Sequence, residues 1–155
     1  MMWKFERCQA NTAVVDEGGR QLTYAELRHE GRLLCQQADG RCLVFCLSKN
    51  VLGSFVGYTA FLNGGVVPAM LPADMDTALF KTLYETYKPK YVWAPAGFEL
   101  EDGCIRYERF GYRLFQTPFG DVTRLAPNLA LLLTTSGSTG SPKFVRQSYQ
   151  NIRAN

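Results

Sequence analysis

Residues 42–71 read CLVFCLSKNVLGSFVGYTAFLNGGVVPAML. The stretch opens on an unbroken apolar run, Cys42 to Leu47, bounded by Gly40 and Ser48. A run this short and this apolar predicts a strand buried on both faces. Ser48 is a candidate cap for a following helix, in which Val51, Leu52, Phe55, Val56, Tyr58, Thr59 and Leu62 are largely apolar. Gly64-Gly65 supplies the glycine expected just past a helix. Val66 to Leu71 is a second short apolar run, in which Pro68 argues against a central strand.

Working outward, the alternation continues. Asp74 and Asp76 precede a helix over about Thr77 to Tyr87, which Pro89 closes, and Tyr91 to Ala94 reads as a third strand. Strand, helix, strand, helix, strand is the pattern of a parallel sheet with helices on its faces. On the other side, Thr12–Asp16 and Arg20–Leu22 flank Gly18-Gly19 and read as a hairpin. Thr23 and Glu26 form a capping box for a helix carrying Leu27, Leu33, Leu34 and Ala38, stopped by Gly40. Cys104–Glu108 and Arg113–Thr117 predict a small antiparallel excursion without a helix. Leu129–Thr134 reads as a buried strand, and Phe144–Gln147 as a short extended segment. The expected fold class is α/β, mostly parallel sheet with flanking helices plus that excursion.

Composition sets outer limits. With 155 residues, 46% hydrophobic and 20% charged, the chain has enough apolar side chain to offset its conformational entropy. No apolar run approaches the roughly 20 residues of a membrane span. The N-terminal residues include Lys4, Glu6 and Arg7 and do not resemble a secretory signal, so the cytoplasm is the expected compartment. Five cysteines (8, 35, 42, 46 and 104) are odd in number and thinly spread, which excludes a disulfide scaffold. Four of the 17 basic residues, Arg124, Lys143, Arg146 and Arg153, fall after residue 121, and none of the 14 acidic ones does. Such a tail suits a local anion site and is too small for a general nucleic-acid surface.

The most informative segment is Thr135-Ser136-Gly137-Ser138-Thr139-Gly140-Ser141-Pro142-Lys143. Gly137 and Gly140 permit backbone conformations that turn several N–H groups to one side, an anion-binding nest. Thr135, Ser136, Ser138 and Thr139 add hydroxyl donors, and Lys143 adds a positive charge. A solvated serine-glycine loop is the bland alternative. The segment's departure from the carboxyl end of a buried strand, where open α/β sheets bind ligands, argues against it. The G-x-x-x-x-G-K-[ST] loop of nucleotide triphosphatases does not fit. Pro142 follows Gly137 by five residues, Val145 follows Gly140 by five, and Lys143 follows proline.

Residues 135–143 closely resemble the phosphate-binding signature of the adenylate-forming enzymes, which include acyl-CoA synthetases and the adenylation domains of peptide synthetases. Two weaker segments resemble the same family in the same order. Leu22-Thr23-Tyr24-Ala25-Glu26-Leu27 is similar to its first helix start, and Leu62-Asn63-Gly64-Gly65-Val66-Val67-Pro68 to its helix-to-strand turn. Ser148 to Ile152 resembles the next helix start. Three positions depart: Phe144 stands where glycine is usual, Tyr149 where histidine is frequent, and Ser138 where threonine is usual.

The resemblance implies a two-step reaction. A carboxylate attacks the α-phosphate of ATP, releasing pyrophosphate, and the thiol of coenzyme A or a carrier protein then takes the acyl group. It implies that Thr135, Ser136, Gly137, Ser138, Thr139, Gly140 and Lys143 hold the leaving phosphates, with Mg2+ bridging phosphate oxygens. It also implies that 1–155 is an incomplete N-terminal (AMP-binding) subdomain with its catalytic parts downstream. The expected chain is then inactive alone, with no catalytic residue of its own, and completed by a C-terminal part or an oligomer partner. The competing reading is a non-catalytic α/β module that holds phosphate or docks a partner. His29, among Arg28, Glu30 and Arg32, reads as a solvated surface position, and Cys42 and Cys46 as core rather than metal ligands.

Overall fold

The structure, a computed structural model, describes residues 2–3, 8–120, 123–134 and 144–154. A hairpin of β1 (Thr12–Val15) and β2 (Gln21–Thr23) leads into α1 (Tyr24–Cys35). The Asp16 amide donates to Arg20 O at 2.9 Å across the hairpin, and Gly19 takes a φ of +79° in the turn. The expected capping box closes the start of α1. The Glu26 amide donates to Thr23 Oγ1, and the Thr23 amide donates to the Glu26 carboxylate at 2.8 Å. The helix ends before Gly40. Its cap is Gln36, whose amide reaches back to Arg32 O, and Gly40, with φ +67°, serves the following turn instead.

Next come β3 (Leu43–Ser48), α2 (Leu52–Gly64), β4 (Val67–Pro72), α3 (Thr77–Tyr87) and β5 (Tyr91–Pro95). Gly65 caps α2 in the left-handed region, φ +77°, as glycine there permits. Asp76 caps α3, accepting from the Leu79 amide at 3.0 Å. Ser48 is not the cap of α2. It is the last residue of β3, its hydroxyl donates to Cys46 O, and the helix starts four residues later, at Leu52, after Val51, which makes no side-chain cap. The loop absorbs Lys49 and Asn50, so proximity in sequence misassigned the serine.

β6 (Cys104–Arg109), β7 (Tyr112–Gln116), β8 (Leu129–Thr134), β9 (Phe144–Ser148) and α4 (Tyr149–Ala154) complete the chain. One seven-stranded mixed sheet runs in the order β6-β7-β5-β3-β4-β8-β9. Its heart, β5-β3-β4-β8, is parallel, and antiparallel strands flank it at both edges. The expected antiparallel excursion is present as β6 and β7, and β7 pairs with β5, so it extends the main sheet.

Pro68 sits in a central strand after all. The Val67 amide donates to Cys42 O on the β3 side, so strand alternation turns the Pro68 position toward β8. Pairing with β8 starts only at Ala69, so no ladder bond is missing there.

The helices lie on opposite faces. Phe45, Leu47, Val67, Ala69 and Val92 pack beneath Phe80, Leu83 and Tyr84 of α3. Val44, Cys46, Tyr91 and Trp93 pack against Ala60 and Phe61 of α2 and Leu34 of α1. This follows from topology. β4 and β5 lie on opposite sides of β3, so crossovers of one hand must carry their helices to opposite faces. α2 is apolar on nearly all sides because it is packed on both, by the sheet and by α1. Gly31 of α1 meets Ala60 of α2 closely, and the Cys35 thiol donates to Ala60 O at 3.2 Å. No helix among the described residues is long and apolar enough to cross a membrane.

Candidate functional site

β3, β4 and β8 run parallel, and their carboxyl ends converge on one rim of the sheet. Connections leave this rim in different directions, from β3 to α2 on one face and from β4 to α3 on the other. Such a switch point opens a crevice outside the strand ends. Here the crevice is an open depression of about 270 Å³ lined by Ser48, Met70, Leu71, Pro72, Leu133 and Thr134. Among the described residues its polar side-chain groups are two hydroxyls. Thr134 Oγ1 donates to Met70 O at 3.5 Å, and Ser48 Oγ to Cys46 O at 3.2 Å.

Thr134 is the last residue of β8, and Phe144, the first of β9, stands directly opposite it in the antiparallel register. The chain thus leaves the crevice rim at Thr134 and returns to the same place at Phe144. Thr135, Ser136, Gly137, Ser138, Thr139, Gly140 and Lys143, all the proposed phosphate-holding residues, lie between these two points, outside the described residues.

The two flanking departures from the family signature have clear positions. Phe144 packs into the α3 side of the core. Its ring lies 4.8 Å from that of Tyr87, edge-on, and 6.1 Å from that of Phe45. Tyr149 opens α4 and lies, half-buried, against the cluster of Met2, Leu62, Ala130 and Leu131. The start of α4 is closed by a reciprocal cap. The Asn151 amide donates to Ser148 Oγ, and the Ser148 amide to Asn151 Oδ1 at 2.9 Å.

Sequence reasoning missed Ser48, Met70 and Leu71 as rim residues. Their signal was present, as each falls near the end of an apolar run that proves to be a parallel strand. The strand order that brings the three ends together is not local information. Cys42 and Cys46 are buried as expected, and burial pushes the Cys46 thiol well up. Among the described residues, no three His, Cys, Asp or Glu side chains gather as a metal site. His29 is exposed on α1.

Comparison of the whole fold with solved structures decides its kind. O-succinylbenzoate coenzyme A synthetase (MenE) from Bacillus subtilis, in complex with AMP, superposes with a TM-score of 0.65 at 18% identity, over 92% of this chain and 40% of its own. ATP-bound MatB from Rhodopseudomonas palustris gives 0.67 at 18% identity, over 97% and 34%. The N-terminal subdomain of NpsA from Klebsiella oxytoca, in complex with 3-hydroxybenzoyl-AMSN, gives 0.64 at 18%, over 94% and 38%. The fold is that of the N-terminal part of the adenylate-forming enzymes. The chain spans between a third and two-fifths of the length of these three structures. No family profile matches the sequence, and no curated protein does. The adenylate-forming fold is thus visible in the backbone arrangement at a level of identity where sequence comparison alone is silent.

Proposed function

We propose that this chain is the N-terminal, phosphate-holding part of an ATP-dependent carboxylate-activating ligase. In this reading residues 135–143 cradle the β- and γ-phosphates. Thr135, Ser136, Ser138 and Thr139 donate hydroxyl hydrogen bonds, Gly137 and Gly140 let backbone amides approach, and Lys143 neutralises charge. A carboxylate oxygen bonds to the α-phosphorus as the bond to pyrophosphate breaks. A thiol of coenzyme A or a carrier protein then displaces AMP from the acyl group. Displacement of this kind depends mainly on positioning and on neutralising the leaving charge, which is the part these residues would play.

The observation that carries the reading is the placement of residues 134 and 144. They bracket the Ser/Thr/Gly segment at the carboxyl end of a parallel strand, in a fold shared with ATP- and AMP-bound structures. Magnesium fits this chain poorly as a resident ion. The segment offers hydroxyls but no carboxylate, and no acid follows residue 121. The ion therefore enters the proposal only as the counter-ion of the triphosphate. The exposed cross-strand pair Leu133 and Val145, 37% and 40% accessible, supports an apolar contact with a further part of the enzyme or with a partner. The cytoplasm, where ATP and these thiols are found, fits as the compartment.

Calorimetric titration with ATP tests the reading. Loss of one charge-assisted contact in Lys143→Ala should weaken binding about 10- to 100-fold. Equal affinity in the two proteins would overturn the phosphate-holding role. Carboxylate-dependent pyrophosphate exchange by the 155-residue chain would overturn the claim that it is inactive alone.

A further inference from the structure

A second concavity lies under the α3 side of the sheet, clear of the crevice at the strand ends. Its volume is about 240 Å³. The floor is aliphatic, made by Leu43 of β3 with Leu129 and Leu132 of β8. One wall is aromatic, formed by Tyr87 at the end of α3 and Phe144 of β9, whose rings meet edge-on. Residues 123–126 close the remaining side, held there by Thr123 Oγ1, which donates to Tyr87 O at 2.9 Å.

The charged groups among the described lining residues are cationic. Arg146 stands two residues along β9 from Phe144, so it projects on the same side, opposite Leu132. Arg124 comes from the facing segment. Both are exposed at the rim. Among the described residues no acid lines the cavity, and neither guanidinium has a carboxylate partner. Both guanidinia line the same apolar trough, so an anion held there would be attracted by two positive charges. Arginine suits such a role because its planar fork binds a carboxylate through two parallel hydrogen bonds. Ligand cavities are mostly apolar with a few convergent polar groups, and this one has that composition.

We propose that the cavity binds a small planar organic anion, an arylcarboxylate, with its ring over Leu132 against Tyr87 and Phe144 and its carboxylate between Arg124 and Arg146. At the packing density of a protein interior, about 0.74, the cavity holds about 180 Å³ of ligand atoms, roughly a two-ring body. The edge of one ring can meet the face of another here, the favoured aromatic arrangement. The proposed site draws only on residues outside 135–143, so it stands apart from the nucleotide reading.

The probe is 1-naphthoate, with 1-naphthalenemethanol as its neutral isostere, titrated against the isotope-labelled full chain and followed by amide chemical shifts. For a ligand of this size, saturable binding is expected at about 0.1–1 mM. Shifts should centre on residues 129–132 and 144–146, and the alcohol should bind about tenfold more weakly. Arg146→Gln and Arg124→Gln should each remove most of that preference while leaving the remaining spectrum native, and Lys143→Ala should leave it intact. Equal binding of acid and alcohol to the unaltered chain would overturn the proposal, and needs no variant to fold. So would absence of saturation below about 10 mM, unchanged preference in both arginine variants, or shifts centred elsewhere.

Discussion

Gly57→Ala is expected to destabilise this protein, against the usual sign for such a change in a helix. Gly57 lies within α2 and faces Trp93. A β-carbon there would overlap Nε1 and Cδ1 of the indole. The indole cannot retreat. It is 1% accessible, its ring packs edge-on against Phe61 and tilted against Tyr112, and its Nε1 donates to Gly53 O at 2.9 Å. Tyr112 is itself held by its hydroxyl, which donates to Leu47 O at 3.0 Å. Overpacking a close-fitting site costs about 1–3 kcal/mol. Stranding the buried indole N–H costs about 1–3 kcal/mol more. The helix-propensity gain from glycine to alanine offsets about 1 kcal/mol. The net loss is centred near 3 kcal/mol, or about 6–12 °C in Tm for a chain of this size. Guanidinium unfolding followed by tryptophan fluorescence and far-UV circular dichroism reads it directly. Gly31→Ala is the control. A β-carbon there would meet Ala60 at 3.4 Å, ordinary contact, so its cost should stay within about 1 kcal/mol. An unchanged or raised midpoint for Gly57→Ala would refute the packing argument.

Three other outcomes follow from the same structure. Phe144→Gly, which restores the residue usual in the adenylate-forming signature, should lower stability by about 2 kcal/mol, because the half-buried ring leaves contacts with Tyr87 and Phe45. Chemical denaturation checks it, and a more stable variant would contradict the core role given to Phe144. Hydrogen bonds from the Thr23 amide and hydroxyl hold the Glu26 carboxyl below its ordinary value of 4.5. Its contribution is therefore present above that value and lost as pH falls through the lowered one. The stability difference between the unaltered chain and Glu26→Gln should accordingly shrink as the pH falls from neutral to below 4.5, and a difference constant with pH would count against the capping box. Alkylation at pH 8 should label exposed Cys8 and Cys104 first. Cys35, its thiol pushed up to about 11 by burial, and the buried Cys42 and Cys46 should react only on unfolding. Peptide mass spectrometry distinguishes the two groups, and early labelling at Cys35 would show the α1–α2 contact to be open.

Features decided by neighbouring residues were legible in the sequence. The capping box at Thr23 and Glu26, the helix start just after Asp74 and Asp76, and the glycine at the end of α2 each need only a few consecutive residues, and each is found where expected. The readings that failed depended on distant partners. Pro68 could be placed in a central strand only once the register with β8 was known. Ser48 looked like a cap because nothing local tells a strand end from a helix start. The arginine-rimmed cavity combines β3, α3, β8 and β9, and no single segment announces it.

By itself the sequence determined the alternation of strands and helices and the one segment rich in hydroxyls, glycine and lysine. Periodicity, capping and turn chemistry are short-range properties of the chain. Only the tertiary structure decided that β4 is central and that β7 joins the parallel heart. It also decided that the ends of β3, β4 and β8 form one crevice, and that the Phe144 ring points into the core. Strand order and side-chain direction are settled by crossover geometry and by burial against residues far away in the chain, which no local pattern encodes.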